Sequence, residues 1–280
     1  MDTRDMIVLI GVLILGGLGV WYVWRHVGNK KIVNPEIADR PFLEQVLKQR
    51  VAFFQQLKPE DQNKFISRVA HFLHTTKISP EKGAVVSWEQ RILIAASATI
   101  PLFHFDTWAF ENLDEVLVYP DHFDERYNTE SEDRNVLGMV GDGVLHRKMI
   151  LSLPALMEGF DRQGDGHTAI HEFVHLIDKA DGQVDGVPEY LIPKALIQPW
   201  ISEMHRSIQQ IREQRSDIRP YAAKNPAEFL AVVSEYFFQR PERLETDHPK
   251  LYELLAQIYG GQTSMRDPEE MGKIQGEPDR

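Results

Sequence analysis

One five-residue stretch, His171-Glu172-Phe173-Val174-His175, constrains the fold more than any other feature of the sequence. Residues four apart lie on one face of an α-helix, so the imidazoles of His171 and His175 can reach a single metal ion. Glu172 is rotated off that line, where its carboxylate can hold a metal-bound water and accept its proton. The stretch lies in a helical run, residues 167–180, that follows a glycine-flanked loop and a predicted strand. It therefore predicts a metal-binding helix beside a small sheet.

A catalytic metal needs a third protein ligand and an open position for water, and three acidic residues can supply that ligand. Asp178 is on the same helix, where reaching the ion is strained, so we expect it to support a ligand histidine. Glu228 follows Asn225 by three residues and can complete a helix-capping box. Glu235 lies among apolar residues, where a buried carboxylate needs a strong partner, and zinc supplies one.

The predicted ligands of one Zn²⁺ ion per chain are therefore His171, His175 and Glu235, although this set also suits other divalent ions. Glu172 is the predicted general base. Glu228 lies seven residues before Glu235 on the same helix face and is expected to support a ligand from behind. His167 continues the histidine face, but it stands at the helix start, one turn too far back to be a ligand.

A hydrolytic site also needs a hydrogen-bond donor for the oxyanion of the tetrahedral intermediate. Tyr221, just before the second acidic helix, is the predicted donor, and His205 is the alternative; Tyr221 can equally be a packing aromatic. The predicted strand Lys148–Leu153 can either present an edge on which an extended peptide pairs or lie inside the sheet.

The N-terminal part of the chain predicts a membrane anchor. The 19 residues from Met6 to Trp24 carry no charge and are long enough to cross a bilayer as a helix. Trp21, Tyr22 and Trp24 gather at its far end, where amphipathic rings favour the membrane–water boundary. The start, MDTRD, sets one arginine against two aspartates and so is not the basic start of a signal peptide, and bulky residues follow the apolar run in place of a small-residue cleavage site. More basic residues follow the segment than precede it, which favours a cytoplasmic domain.

Composition limits the function classes. The 280 residues carry a formal net charge of −11 without a basic stripe, so direct nucleic-acid binding is not expected. The absence of cysteine excludes disulfides and thiolate ligands, so His, Asp and Glu must hold any metal.

The rest of the sequence predicts an α+β fold that is mostly helical. Apolar residues at helical spacing recur through much of the chain, and two short runs rich in Val, Ile and Leu read as strands. The predicted organisation is an anchor (6–24), a juxtamembrane linker (25–41), a zinc metallopeptidase domain (42–260) and a disordered tail (261–280).

Four segments resemble the zinc peptidases of the Mlc titration factor A family. They are HEFVHLID (171–178), NPAEFLAVVSEYFF (225–238), LVYPDHF (117–123) and MILSLPALMEGF (149–160). The similarity runs from Phe42 to Tyr259, nearly all of the chain after the predicted anchor. The histidine element is shared by many unrelated peptidases, whereas the second glutamate motif with these flanks is far more specific.

The resemblance implies a zincin-like domain with a His-His-Glu zinc site, Glu172 as general base and Glu235 as the downstream ligand. It also implies aminopeptidase-like hydrolysis, and binding of the glucose repressor Mlc by one member. Two features depart from the pattern. The predicted anchor is an addition, and Gln239 stands where many zinc peptidases have an acidic residue, four after the ligand glutamate. That supporting role would then pass to Asp178 or Glu228.

Two functions from different classes follow. The first is a single-pass zinc metallopeptidase, in the bacterial inner membrane if the resemblance holds, that cleaves peptide or protein substrates. The second is a binding module of the same fold that sequesters a transcriptional repressor or a membrane partner, with little catalysis. The intact Glu172 favours the enzyme, because a binding module has no need of a general base. A third alternative, a purely structural metal site, would require a fourth protein ligand.

Overall fold

The computed structural model of the chain describes residues 40–106, 109–122, 138–140, 146–161, 166–189 and 191–260. The predicted anchor (6–24), almost all of the predicted linker (25–41) and the predicted tail (261–280) lie outside these residues. No helix within the described ranges combines the length and apolar character needed to cross a bilayer.

Helices dominate the described residues. They are α1 (Arg40–Arg50), α2 (Ala52–Gln56), α3 (Pro59–Thr75), α4 (Trp88–Thr99), α5 (Leu153–Gly159), α6 (Thr168–Asp178), α7 (Lys194–Arg212), α8 (Pro226–Gln239), α9 (Pro241–Asp247) and α10 (Pro249–Ile258). Short 3₁₀ turns follow α6 at Lys179–Asp181 and precede α8 at Pro220–Ala223.

The described strands form one mixed sheet. They are β1 (Lys77–Pro80), β2 (Glu115–Tyr119), β3 (Gly138–Val140) and β4 (Lys148–Ser152). Their order is β1-β2-β4-β3, in which β1, β2 and β4 run parallel and β3 pairs antiparallel with β4. The sheet is small beside the helices, and α6 packs against β3 and β4. The predicted α+β, mostly helical fold with a sheet beside the histidine helix is confirmed.

The position of β4 decides between the two alternatives for the segment from Lys148. Because β4 pairs with β2 on one side and β3 on the other, it is an internal strand and offers no edge to a peptide. Among the described strands, the edge beside α6 belongs instead to β3. The strand also ends earlier than predicted, since the Ser152 side chain accepts a hydrogen bond from the Ala155 backbone N–H and starts α5.

Helices α6 and α8 pack directly against each other in the core. The buried face of α6 includes Phe173 and Val174, and that of α8 includes Phe229 and Val233, all without solvent exposure. Burying one such side chain stabilises the fold by about 1.5–3 kcal/mol. The contact therefore holds the polar residues of the two helices at a defined separation.

Candidate metal centre

The two histidines of α6 face the same space, as the helical spacing predicts. The Nε2 atoms of His171 and His175 lie 3.0 Å apart, and their rings meet edge to face with centroids 4.7 Å apart. Both side chains are largely buried, with 12% and 17% exposure. Their nitrogens can therefore act on the same bound atom.

Glu228 supplies the third atom of the cluster. Its Oε2 lies 3.1 Å from Nε2 of His171 and 3.3 Å from Nε2 of His175. Zinc bound at about 2.0–2.2 Å by tetrahedral N and O ligands sets neighbouring ligand atoms roughly 3.4 Å apart. The three donor atoms are close to that spacing, and their chemistry is that of a divalent-cation site. Among the described residues they form the group that could hold a metal ion.

Glu235 contacts the opposite side of His171. Its Oε1 lies 2.8 Å from Nδ1 of that imidazole and 2.5 Å from Nη2 of Arg219. Its Oε2 accepts a short hydrogen bond from the backbone N–H of His167. The side chain is 2% exposed, so these contacts compensate a buried charge.

The positions of the two glutamates differ from the sequence prediction, which put Glu235 at the metal and Glu228 behind a ligand. The capping box that explained Glu228 is only half present: its backbone N–H donates to Asn225 Oδ1 at 2.9 Å, while its carboxylate turns to the histidines. The cap therefore leaves the carboxylate available. Because the two glutamates share one helix face, periodicity could not rank them, and burial favoured Glu235, whose carboxylate contacts Nδ1 of His171 and not the Nε2 atoms.

Tyr221 lies at the cluster, where the sequence predicted a hydroxyl donor. Its hydroxyl donates to Glu228 Oε1 at 2.9 Å, and its ring centroid is 6.1 Å from that of His171. Lys224, which the sequence did not single out, donates to the Tyr221 hydroxyl at 3.2 Å. The alternative donor, His205, is an exposed residue of α7.

Asp178 does not hydrogen-bond a histidine among the described residues. Its Oδ2 accepts from the Gly186 backbone N–H at 3.1 Å, and its buried Oδ1 has no hydrogen-bond partner there. Burial raises the pKa of Asp178 to about 6. We expected Asp178 to support a ligand histidine, but its carboxylate instead binds the segment that follows α6.

Gly186 joins that segment to the first turn of α8. Its carbonyl accepts from Trp200 Nε1 at 2.7 Å, and its φ is +73°. A Cβ atom at this position would lie 2.3 Å from the carbonyl oxygen of Pro226, so only glycine allows this approach. Hydrogen bonds therefore stabilise the segment that connects α6 with α7 and α8, and they involve Asp178, Gly186 and Trp200.

The ionisable residues of the cluster change one another's pKa. Burial disfavours the charged form of His171, but contacts with Glu228 and Glu235 outweigh it and raise its pKa to about 10. Burial also opposes ionisation of both these glutamates, yet their contacts with His171 lower the pKa of each. Glu172 behaves oppositely: burial raises its pKa more than the neighbouring histidines lower it. A carboxyl with a raised pKa is suited to accept and return a proton.

Two further polar residues, Gln239 and Arg219, form hydrogen bonds near the cluster. Gln239 donates to the carbonyls of Gly159 at 2.9 Å and Gly166 at 3.2 Å, so it joins the end of α5 to the residue that precedes His167. Neither bond is to a histidine of the cluster. Arg219, which no motif singled out, is bonded to Glu235. The only sequence signal for this role is the position of Arg219 shortly before α8.

Comparison with known proteins gives the context for this cluster. Residues 24–260 match the family described as glucose-regulated metallo-peptidase M90. An uncharacterized protein of Synechocystis, slr2042, is 31% identical over 266 residues, which is 90% of this chain and 94% of that protein.

Two further relatives carry the name Mlc titration factor A. The one from Pectobacterium atrosepticum is 29% identical over 219 residues, covering 72% of this chain and 80% of its own length. The one from Escherichia fergusonii is 28% identical over 232 residues, covering 77% and 85%. The family match spans most of the sequence and includes both helices of the cluster. The chain belongs to the M90 family of glucose-regulated metallopeptidases.

Proposed function

We propose that this protein is a zinc-dependent peptidase whose metal is held by His171, His175 and Glu228. The observation that carries the proposal is the convergence of two Nε2 atoms and one carboxylate oxygen within 3.3 Å of one another, beside the buried Glu172. When bound at such a site, zinc lowers the pKa of a coordinated water and polarises a carbonyl oxygen. Family membership supports hydrolysis of peptide bonds.

Glu172 is the proposed general base. It lies next to His171 on α6 and is 6% exposed, so its carboxylate is shielded from bulk water. Its raised pKa makes the protonated form accessible, which lets the same side chain take a proton from water and give it to the leaving amine.

Glu235 orients the first ligand. As an acceptor for the Nδ1–H of His171, it fixes the tautomer in which the Nε2 lone pair points toward the metal position. Arg219 contacts the same carboxylate and lowers its pKa, which keeps it ionised.

Tyr221 is the proposed donor to the developing oxyanion. Its hydroxyl now bonds Glu228, and its side chain is half exposed, so it can turn toward a substrate carbonyl. Lys224 donates a hydrogen bond to the same hydroxyl and adds a positively charged group beside it. Among the described strands, β3 is the outer strand on the side of α6, where a substrate could pair as an added strand.

Glu172→Gln tests the enzyme directly. We expect zinc content near one per chain to be retained, while peptide hydrolysis falls by about 10²–10⁴-fold because the base is lost. Glu189→Gln, at an exposed glutamate, is the matched control and should retain both. Undiminished hydrolysis by Glu172→Gln would refute the assigned base, and absence of zinc from the wild-type chain would refute the metal site.

We further propose that residues 6–24 anchor the protein in a membrane, with the peptidase domain in the cytoplasm. The uncharged length of that segment and the basic residues after it support this topology. Aminopeptidase specificity is proposed from the family resemblance. Cell fractionation of the full chain and of a variant lacking residues 6–24 tests the anchor, since only the full chain should sediment with membranes.

A second function is favoured by the name of two relatives, Mlc titration factor A. We propose as the alternative that the same domain binds a transcriptional regulator, with little catalysis. Glu172→Gln separates the two functions, because a regulator-binding protein would keep its biological effect when the base is removed, whereas a peptidase would lose it.

A further inference from the structure

A cavity of about 390 Å³ lies at the N-terminal end of α6. Residues from α2, from the end of α5 and from the end of α8 line it together with His167 and Ile170. His171, His175 and Glu228 are not among the lining residues. Its volume is within the range of small-molecule sites. The cavity is therefore separate from the metal cluster although it touches the same helix.

His167 contributes a buried hydrogen-bond donor to the wall of this cavity. Its Nδ1 accepts the backbone N–H of Ile170 at 3.4 Å and caps α6, so in the neutral ring the proton is on Nε2. The residue is 3% exposed, and within the described ranges its buried Nε2 has no hydrogen-bond partner. A buried N–H of this kind requires an acceptor.

Charged side chains around the cavity favour an anionic acceptor. Among the described lining residues, Arg50 and Arg240 are basic and Asp161 is acidic, so their summed formal charge is positive in a chain of net charge −11. Arg50 is 37% exposed, and its contact with Glu89 is long, at 3.6 Å. A guanidinium in this position can pair with a carboxylate or phosphate oxygen.

Three glutamines, Gln55, Gln56 and Gln239, also line the cavity, and the other walls are apolar. They include Phe53, Ile100, Phe160 and Phe238. Phe160 packs edge to face on the His167 ring, with centroids 4.5 Å apart, and holds that ring in place. A ligand that complements both the charged and the apolar parts of this lining joins an oxyanion to an apolar body.

We propose that this cavity binds a small organic anion, in which a carboxylate or phosphate accepts from His167 Nε2–H and pairs with Arg50 while an apolar body contacts the phenylalanines. The site does not depend on the metal centre. His167 also donates its backbone N–H to Glu235, so the ligand would sit one residue away from the contact that orients His171.

Calorimetric titration of the full-length, metal-free protein in lipid nanodiscs tests the proposal. The probes are 3-phenylpropionate, 3-phenylpropyl phosphate and the neutral 3-phenylpropanol. Saturable 1:1 binding of at least one anion, about tenfold or more tighter than the alcohol, is expected. The two anions distinguish a carboxylate from a phosphate ligand, and removal of metal excludes coordination at the other site.

Two variants locate the binding. His167→Asn keeps a good helix cap and removes the Nε2 donor, and Arg50→Gln removes the positive charge. Each should weaken anion binding by about tenfold, since each removes one charge-assisted or buried hydrogen bond. Arg215→Gln, at an exposed arginine outside the cavity lining, is the control and should bind as wild type does.

Three results would overturn the proposal: no binding of either anion, equal binding of the alcohol, or unchanged affinity in Arg50→Gln. The last result stands even if His167→Asn fails to fold, because Arg50 is partly exposed and its ion pair with Glu89 is long.

Discussion

Glu228 and Glu235 occupy the same face of α8, about two turns apart, yet they contact opposite nitrogens of one imidazole. Glu228 meets Nε2 of His171 and of His175, whereas Glu235 meets Nδ1 of His171. Glu228 is further bonded by Tyr221 and Lys224 at the open side of the cluster. Glu235 is bonded by Arg219 and a backbone N–H and is almost fully buried.

The difference shows that burial and function are separate properties of a carboxylate. The more buried glutamate is compensated by fixed protein donors and can orient a ligand. The less buried one has an oxygen shared between two histidines, and such an oxygen can bind a cation. Removal of each residue in turn should therefore weaken metal binding to different extents.

Glu228→Ala should have the largest effect. It removes the proposed third ligand, so zinc affinity should fall by more than about 100-fold, beyond the usual effect of a supporting residue. The backbone N–H that bonds Asn225 remains, so the helix cap is kept. Competition with a zinc chelator gives the affinity, and Glu245→Ala, at an exposed position of α9, is the control. Near-wild-type affinity would contradict the assignment.

Glu235→Ala should have the next largest effect, a loss of about 10–100-fold in zinc affinity, because the His171 ring loses its orienting acceptor. Glu235→Gln retains an acceptor oxygen and should lie between this variant and wild type. The same chelator competition applies. A greater loss for Glu235→Ala than for Glu228→Ala would reverse the two roles and restore the sequence prediction.

Zinc affinity should rise by about tenfold per pH unit between pH 7 and 9. The pKa of His171 in the metal-free protein is raised to about 10, so metal must displace a proton throughout this range. In the same protein, the stability that protonated His171 contributes is complete below its unfolded pKa of about 6.5 and disappears as pH rises through about 10. Chelator competition and denaturant unfolding across this range measure both trends, and a flat affinity profile would contradict them.

Arg219→Gln should have the smallest effect, less than about tenfold on zinc affinity. The Arg219 side chain is 40% exposed, so water screens its attraction to Glu235. The same titration measures it, with Arg215→Gln as the exposed control. A loss as great as that of Glu235→Ala would mean that Arg219 is essential to hold the carboxylate.

Local signals predicted much of the fold. Ser87 and Gln90 form the reciprocal capping box that their spacing indicates, with bonds of 3.2 and 2.8 Å. Asn225 caps α8, and Pro226 begins it. Strands β1 and β3 were missed because each is short, and pairing with distant strands, rather than its own pattern, stabilises it. Ile78 of β1 also continues the apolar spacing of the preceding helix, so periodicity alone does not separate the strand from that helix.

The site was predicted where one helix carries the information. His171, Glu172 and His175 follow from a single periodicity, and the structure brings the two imidazoles together. The choice between Glu228 and Glu235 depends on the axial offset between α6 and α8. That offset is set by packing of residues such as Phe173 and Phe229 and by Gly186 against Pro226, none of which a single sequence reveals.

The contacts that hold α6 and α8 together also affect how the protein would exchange a metal ion. Asp178, Gly186 and Trp200 close the connection with buried hydrogen bonds, and the helix contact is apolar. Ligands from both helices are thus preorganised, in contrast to small domains that fold only when metal binds. Little chain entropy remains to be lost on coordination. Metal exchange would then take place in the native state, with unfolding and demetallation as separate events.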